Sequence, residues 1–383
     1  MGQYSRLLGC LLALALHLGA LPAHAAEAGV TDKEIVIGQV LDLSGPLGEL
    51  APDIVNGATV AFGRINEKGG VNGRKIRLVT LDDGYVPANT VKAVTQMIEK
   101  EQVFALMNMT GTSNTAAALP LLEKEKPPVP LIAPFTGAAL VRTPPINHVF
   151  NVRASYADEA EKIVQHLATL GVQRIAVLWS NNGFGKDGLA GVQKAMEKRG
   201  LKIHSSAPIE QNASDTEQAV AALSATQPEV IIMITAGAPT VSFIKSYSKV
   251  RKGMQFYTLS VMGTQATLRA LGPAGVGVVI TSVVPFPWDF SHPLAREYRA
   301  AMEKAGYNNL SFLGFESYIN AKVIGEGLRL AGKDLNRPRF ISALENMKQL
   351  NLGGFEVGFS RDSRQGSRFV QLVIVSPGEK FNR

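Results

Sequence analysis

Two rhythms of apolar residues alternate along this chain. An unbroken apolar run over 35–41 gives way to apolar positions at helical spacing over 54–67, and the alternation then continues with little interruption. An unbroken run is the pattern of a strand covered on both faces, whereas a helical spacing marks one buried stripe. The pattern predicts further strands over 75–82, 103–107 and 130–133, with helices over 88–100 and 115–122. Near 149–154 it starts afresh. Helices over 158–170, 186–199, 215–226 and 239–250 separate strands over 174–179, 201–207, 229–235 and 255–259. A short helix near 264–271 then precedes a strand over 276–283. Beyond that the rhythm changes to three successive helices, near 294–305, 313–331 and 338–350. The last two strands, 355–359 and 369–375, have no helix between them and predict a hairpin or an addition to a sheet edge. Strands alternating with helices mean βαβ units and parallel sheets, so the chain reads as α/β in two halves.

The stretch 108–136 is where this pattern offers chemistry. Thr110, Gly111, Thr112 and Ser113 follow a strand and open a helix, while Phe135 and Thr136 follow the next strand. Thr112 or Ser113 is a natural N-cap for a helix beginning near Asn114. A helix N-terminus leaves N–H groups unpaired and carries partial positive charge, which suits a carboxylate. Neighbouring strands of an open parallel sheet release their loops at the same carboxyl edge, so the Thr112 and Thr136 loops are able to face one small anion. The plainer reading is that Thr112 caps its helix and Thr136 starts a turn. The pattern alone admits both.

Residues 1–25 read as a cleaved export signal: Arg6, an apolar core over 7–21, and Ala23-His24-Ala25 as cleavage site. Leu7-Leu8-Gly9-Cys10 spells a lipid-attachment box, but too few residues precede it to serve as a signal. No later stretch reaches the length of a membrane span, so the expected product is exported and soluble. Cys10 is the only cysteine and leaves with the signal, which excludes a disulfide framework, a thiol nucleophile and cysteine-bound zinc. The 39 basic and 32 acidic side chains leave +7, or +6 without Arg6, spread along the chain without a basic run. That balance favours small anionic ligands over nucleic acid.

One motif invites a cofactor. Gly183-Phe184-Gly185-Lys186-Asp187-Gly188 spells G-x-G-x-x-G between a strand and a helix, and Glu210 stands 22 residues after Gly188, the spacing of a dinucleotide fingerprint. Yet Ser180-Asn181-Asn182 separates the strand from the first glycine, and Phe184 is bulky where a backbone should approach pyrophosphate. A structural turn with a ligand-facing aromatic is the expectation instead. No metal spacing joins His148, His166, His204 and His292, and no G-x-S-x-G elbow is present. Asp82-Asp83 follows a strand, where a solvated turn or a helix cap is expected. Phe286, Trp288 and Phe290 around Asp289 form an aromatic cluster, for packing or for lining a cleft. No catalytic set emerges, so the expectation is a binding protein without cofactor or metal.

IVIGQVLDLSGPLGEL, GGVNGRKIRLVTLDDGYVPANTV, the Thr112 and Phe135-Thr136 loops, RIAVLWSNNGFGKDGL and GGFEVGFSRDSRQG occur in this order. Together they resemble the branched-chain amino-acid-binding (Leu/Ile/Val-type) family of periplasmic solute-binding proteins of ABC transporters. The resemblance covers nearly all the chain after the signal. It implies a type I periplasmic binding protein fold, two Rossmann-like lobes joined by three crossovers near Arg153, Val284 and Gly353 and closing on ligand like a flytrap. Lobe 1 would hold 26–152 plus 285–352, and lobe 2 153–284 plus 353–383. The implied protein is a periplasmic monomer that captures a small carboxylate, an amino acid or derivative, for an inner-membrane ABC permease. Carried over by position, Thr112 and Thr136 look like the hydroxyls that hold the carboxylate, with Ser113 beside them. Phe135 looks like the residue whose carbonyl faces an ammonium, and Phe184 like the aromatic that covers the ligand. Ala238 stands where the family often has a tyrosine. Ser260 falls near where the best-known members place an acid for the ammonium. Without that acid a buried ammonium lacks its partner, which is costly. An aromatic or other non-amino acid or amide is therefore the alternative ligand, and Glu49, Asp289 and Glu316 are the candidate replacement acids.

Overall fold

In the computed structural model, which describes residues 27–383, the first alternation of the chain builds one parallel sheet. The expected signal at 1–25, with Arg6 and Cys10, lies outside the described residues. The order is β1 (Glu34–Leu41), α1 (Ala51–Glu67), β2 (Lys75–Asp82), α2 (Pro87–Glu99), β3 (Ala105–Met107), α3 (Thr112–Lys124), β4 (Leu131–Ile132) and β5 (Val149–Phe150). The strands pair in the order β2-β1-β3-β4-β5, with Glu34 opposite Lys75 and Leu41 opposite Asp82. Every residue from Ile35 to Leu41 is buried, as an unbroken apolar run requires of a strand covered on both faces.

The second alternation runs α4 (Tyr156–Thr169), β6 (Ile175–Ser180), α5 (Gly183–Glu197), β7 (Ser205–Ile209) and α6 (Thr216–Ser224). It continues through β8 (Val230–Ile234), α7 (Ala238–Val250), β9 (Gln255–Thr258), α8 (Gln265–Leu271) and β10 (Val279–Ser282). These strands form a second sheet, parallel across β7-β6-β8-β9-β10. Helices α9 (Pro293–Lys304), α10 (Phe312–Ala331) and α11 (Arg337–Glu345) then return to the first lobe. There α10 crosses α1 so closely that a methyl on Gly57 would lie 2.1 Å from the Gly314 carbonyl oxygen. Ser317 Oγ donates to the Ile54 carbonyl at 2.6 Å and accepts from Asn108 Nδ2 at 2.8 Å, which ties α10 to α1 and to the end of β3.

The last strands are β11 (Leu350–Asn351), β12 (Glu356–Val357), β13 (Gln371–Ser376) and β14 (Lys380–Asn382), and the expected addition to a sheet edge is made by β13. β12 folds back antiparallel on β11, while β13 lies antiparallel on β10 and pairs with β14. The chain therefore joins the second sheet beyond residue 357, downstream of the passage expected near Gly353. Gly353 and Gly354, at φ 90° and 98°, instead make the turn between β11 and β12, a conformation that glycine adopts without strain. The first and third passages run side by side: Asn151 N–H donates to Arg364 O, and Gly366 N–H to Asn151 O. Among the described residues no helix is long and apolar enough to cross a membrane.

Candidate functional site

The two sheets face each other across a closed cleft at their carboxyl edges. Hydrogen bonds cross it. Gly183 N–H donates to Ser113 Oγ at 3.2 Å, Ala139 N–H to Asp187 Oδ2 at 2.9 Å, Thr267 Oγ1 to Glu49 Oε1 at 3.3 Å, and Phe312 N–H to Gly263 O at 3.3 Å. Gly237, at φ +67°, lies so near the loop after β1 that a Cβ would stand 2.8 Å from the Pro46 carbonyl oxygen.

Inside the cleft is a cavity of about 30 Å3, room for roughly two waters at about 10–15 Å3 each. The first lobe contributes Leu47, Leu50 and Ile54 after β1, Tyr85 after β2, Thr110 and Gly111 after β3, Phe135 after β4, and Leu313 of α10. Tyr156 comes from the start of α4, and Phe184, Ala236 and Val261 close the second-lobe side. The Tyr156 and Phe184 rings lie 5.0 Å apart, centroid to centroid. Burial pushes the Tyr85 phenol far above its ordinary pKa, so it stays a neutral hydroxyl. A larger hollow of about 310 Å3 between α1 and α10 opens on the outside of one lobe, away from the facing sheet edges.

Three helices begin beside this cavity. α3 starts at Thr112 behind Gly111, α5 at Gly183 behind Asn182, and α7 at Ala238 behind Gly237. Neither Thr112 nor Ser113 is the cap of α3. That position belongs to Gly111, at φ 95°, and a side chain there would meet the Tyr85 ring at 2.7 Å. Asn182 caps α5 by accepting from Gly185 N–H at 3.1 Å.

The expected site residues divide into three groups. Phe135 and Phe184 line the cavity. Thr112 and Thr136 are buried and joined to each other, Oγ1 to Oγ1 at 2.7 Å, and neither lines the wall. Ser113 makes the interlobe bond from Gly183. Ala238 is exposed as the first residue of α7, and it is Ala236, two residues earlier at the strand end, that reaches the cavity. Ser260 also misses the wall, which its neighbour Val261 lines. Its hydroxyl accepts from Arg153 and donates to Glu159 Oε1 at 3.1 Å, and its N–H donates to Glu159 Oε2 at 2.8 Å.

Ser260 thus belongs to a buried charge cluster behind the cavity. Arg153 Nη2 lies 3.6 Å from Glu159 Oε1 and its Nε 3.5 Å from Glu316 Oε1. The guanidinium carbon sits 5.8 Å and 5.9 Å from the Phe135 and Tyr156 ring centroids. Burial raises the Glu316 carboxyl to about 7 although Arg153 opposes the shift, and Glu159 adds to it. Burial works against the Arg153 charge, but Glu316 and Glu159 outweigh it and hold its pKa above the ordinary value.

None of the candidate replacement acids reaches the cavity. Glu49 is exposed and bonded to Thr267, Glu316 faces Arg153, and Asp289 binds Ser291 and Arg383. Asp83 is not solvated: it is buried and accepts from Tyr85 N–H at 2.9 Å, Thr90 Oγ1 at 2.7 Å and Asn114 Nδ2 at 2.9 Å, so it positions one cavity tyrosine. Of the aromatic cluster, Phe286 and Trp288 pack on Phe312, while Phe290 stays exposed under Arg299. The G-x-G-x-x-G glycines have packing reasons. A Cβ on Gly185 would lie 1.9 Å from the Ser180 carbonyl oxygen, and one on Gly188 2.4 Å from Ile234 Cγ2. Among the described residues no group of three or more His, Cys, Asp or Glu side chains is placed to hold a metal ion. Tyr85 and Tyr156 are the site residues that sequence reasoning missed; an aromatic just beyond a strand end was the available signal for Tyr85.

A family model described as "Periplasmic binding protein" matches residues 34–380. Leu/Ile/Val-binding protein homolog 7 of Brucella abortus is 24% identical over 82% of this chain and 81% of its own length. Leu/Ile/Val-binding protein homolog 3 of Brucella melitensis is 26% identical, and there the match spans 44% of this chain and 45% of that relative. Among solved structures, a possible leucine/isoleucine/valine-binding protein from Rhodopirellula baltica superposes with a TM-score of 0.86 at 27% identity, over 92% of this chain and 96% of that one.

Proposed function

The chain belongs to the periplasmic binding protein family, and on that premise we propose that it is the periplasmic solute-capturing component of an ABC importer, taking a small carboxylate with an apolar body. The relatives' names carry leucine, isoleucine and valine, whose side chains suit a wall of Leu47, Leu50, Ile54, Phe135 and Phe184. The observation that carries the reading is the convergence of three helix N-termini, of α3, α5 and α7, on one enclosed apolar cavity. The partial positive charge of the three ends, with the unpaired first-turn N–H groups of α3, favours an anion. Thr110 and the first turn of α3 receive the carboxylate. Thr112 and Thr136 hold the two loops that present those donors. Phe184, from the second lobe, covers the apolar body, and closure follows from ligand binding the closed form more tightly than the open one.

Thermal-shift screening of branched-chain and aromatic carboxylates, amides and sugars tests this reading. A carboxylate at about 100 times its Kd should add about 2.7 kcal/mol of stability. Stabilisation by sugars or polyols alone would sink the carboxylate assignment.

A further inference from the structure

We infer that the ligand carries no cationic group: the geometry points to an apolar monocarboxylate rather than an α-amino acid. The inference rests on the carboxylate reading above and narrows it. No acidic side chain lines the cavity, whose side-chain polar atoms come only from Thr110, Tyr85 and Tyr156. The buried acids nearby are already committed. Glu159 accepts from the Ser260 N–H and hydroxyl and from Thr281 Oγ1, and it faces Arg153. Glu316 faces the same guanidinium. Asp42 takes the N–H groups of Gly45 and Leu47 at 2.6 and 2.7 Å, which shapes the loop over the cavity. Two carbonyls on the wall have donors as well. Phe135 O receives Gly111 N–H at 3.5 Å, and Ala236 O receives Gln211 Nε2 at 3.3 Å.

An ammonium in this cavity would thus be buried without an anionic partner, with only neutral oxygens to accept from it, a heavy desolvation cost. It would also meet the positive ends of three helices and the Arg153 guanidinium behind the Phe135 and Tyr156 rings. A carboxylate meets the same field with the favourable sign. The apolar body then packs on a wall that asks for no hydrogen bonds, with the lobes parted beyond the two-water space of the closed form.

Matched pairs that share a carbon skeleton and differ only in the amino group provide the test: leucine against isocaproate, phenylalanine against hydrocinnamate, valine against isovalerate. Isothermal titration on the full chain should show the amine-free member of the best pair binding at least about tenfold tighter. If the amino member binds as tightly or more tightly, this inference is overturned while the carboxylate site stands. If no acid of either kind binds and a sugar or amide does, both readings fall. The variant Val261→Glu places an acid at a half-buried wall position and should swing the preference toward the amino member. An unchanged preference in a variant that melts normally counts against the inference, and if the variant does not fold, the pairs on the native protein decide alone.

Discussion

The cavity and the charge cluster behind it are neighbours with opposite make-up. On one side of the Phe135 and Tyr156 rings lies a cavity whose wall carries no ionisable group apart from two tyrosines. On the other side Arg153, Glu159 and Glu316 crowd together, all nearly inaccessible to solvent. Arg153 and Tyr156 are three residues apart on the first passage between lobes, so one short segment serves both regions. The cluster draws Glu316 from α10 of the first lobe and Glu159, Ser260 and Thr281 from the second. Arg142 extends it by donating to the carbonyls of Thr136, Ala138 and Arg153 and to Gln365 Oε1. Burial beside Arg153 lowers its own pKa to about 10. The contrast teaches that the buried charges here hold the lobes and the passages in place, while the cavity wall presents only shape, apolar surface and helix termini.

The largest effect expected of this contrast comes from breaking the cluster. Arg153→Ala leaves two carboxylates buried without their cation. Removing one partner of a buried ion pair costs about 3–5 kcal/mol, which urea unfolding would register as a clear fall in midpoint. A loss below about 1 kcal/mol would put the cluster in the class of solvated surface pairs and erase the contrast.

The next effect is a pH dependence. The Glu316 carboxyl is raised in the folded protein to about 7 from an ordinary 4.5, first by burial and then by Glu159. The folded state therefore holds this proton more tightly than the unfolded chain does. Its contribution to stability is complete below the unfolded pKa and is lost as pH rises through the folded one. Melting temperature should fall between about pH 5 and pH 8, and Glu316→Gln, which mimics the protonated form, should flatten that part of the profile. Identical slopes for the two proteins would show that Glu316 ionises normally.

The fold was largely legible in the sequence because burial on both faces writes itself as unbroken apolar runs. The run over 35–41 became β1, which begins one residue earlier at Glu34, and the restart after 150 became the second sheet. At the end, the addition of 369–375 to a sheet edge was legible and the β11–β12 hairpin was not. Gly353-Gly354 looks the same whether it turns a hairpin or begins a passage, and only the β11–β12 contact decides. On the cavity wall, Phe135 and Phe184 were legible as aromatics at strand and helix ends. Ala238 and Ser260 were misplaced by one or two residues, which suffices to move a side chain from the wall to solvent or into the charge cluster. Tyr156 and Leu313 come from segments far from the loops in sequence, and they join the wall only through tertiary packing.

The smallest effect tests the contrast from the cavity side, at the bond that joins the two lobes above it. Gly183 N–H donates to Ser113 Oγ at 3.2 Å and links the first turn of α5 to the first turn of α3. Opening the cleft separates those turns, so the bond belongs to the closed form. A neutral hydrogen bond contributes about 0.5–1.5 kcal/mol net, so Ser113→Ala should weaken ligand binding about twofold to tenfold. The loss should appear as faster release, with the urea midpoint of the unliganded protein little changed. Gly183→Ala approaches the same contact sterically, since its Cβ would stand 2.9 Å from Ser113 Oγ and 3.3 Å from Thr112 Cγ2. Because Ser113→Ala deletes the atom that this Cβ meets, the double variant should bind better than the sum of the two single losses predicts, the signature of direct coupling. Strict additivity would mean that the two turns do not meet when ligand is held, and that closure over the ligand relies on the apolar wall alone.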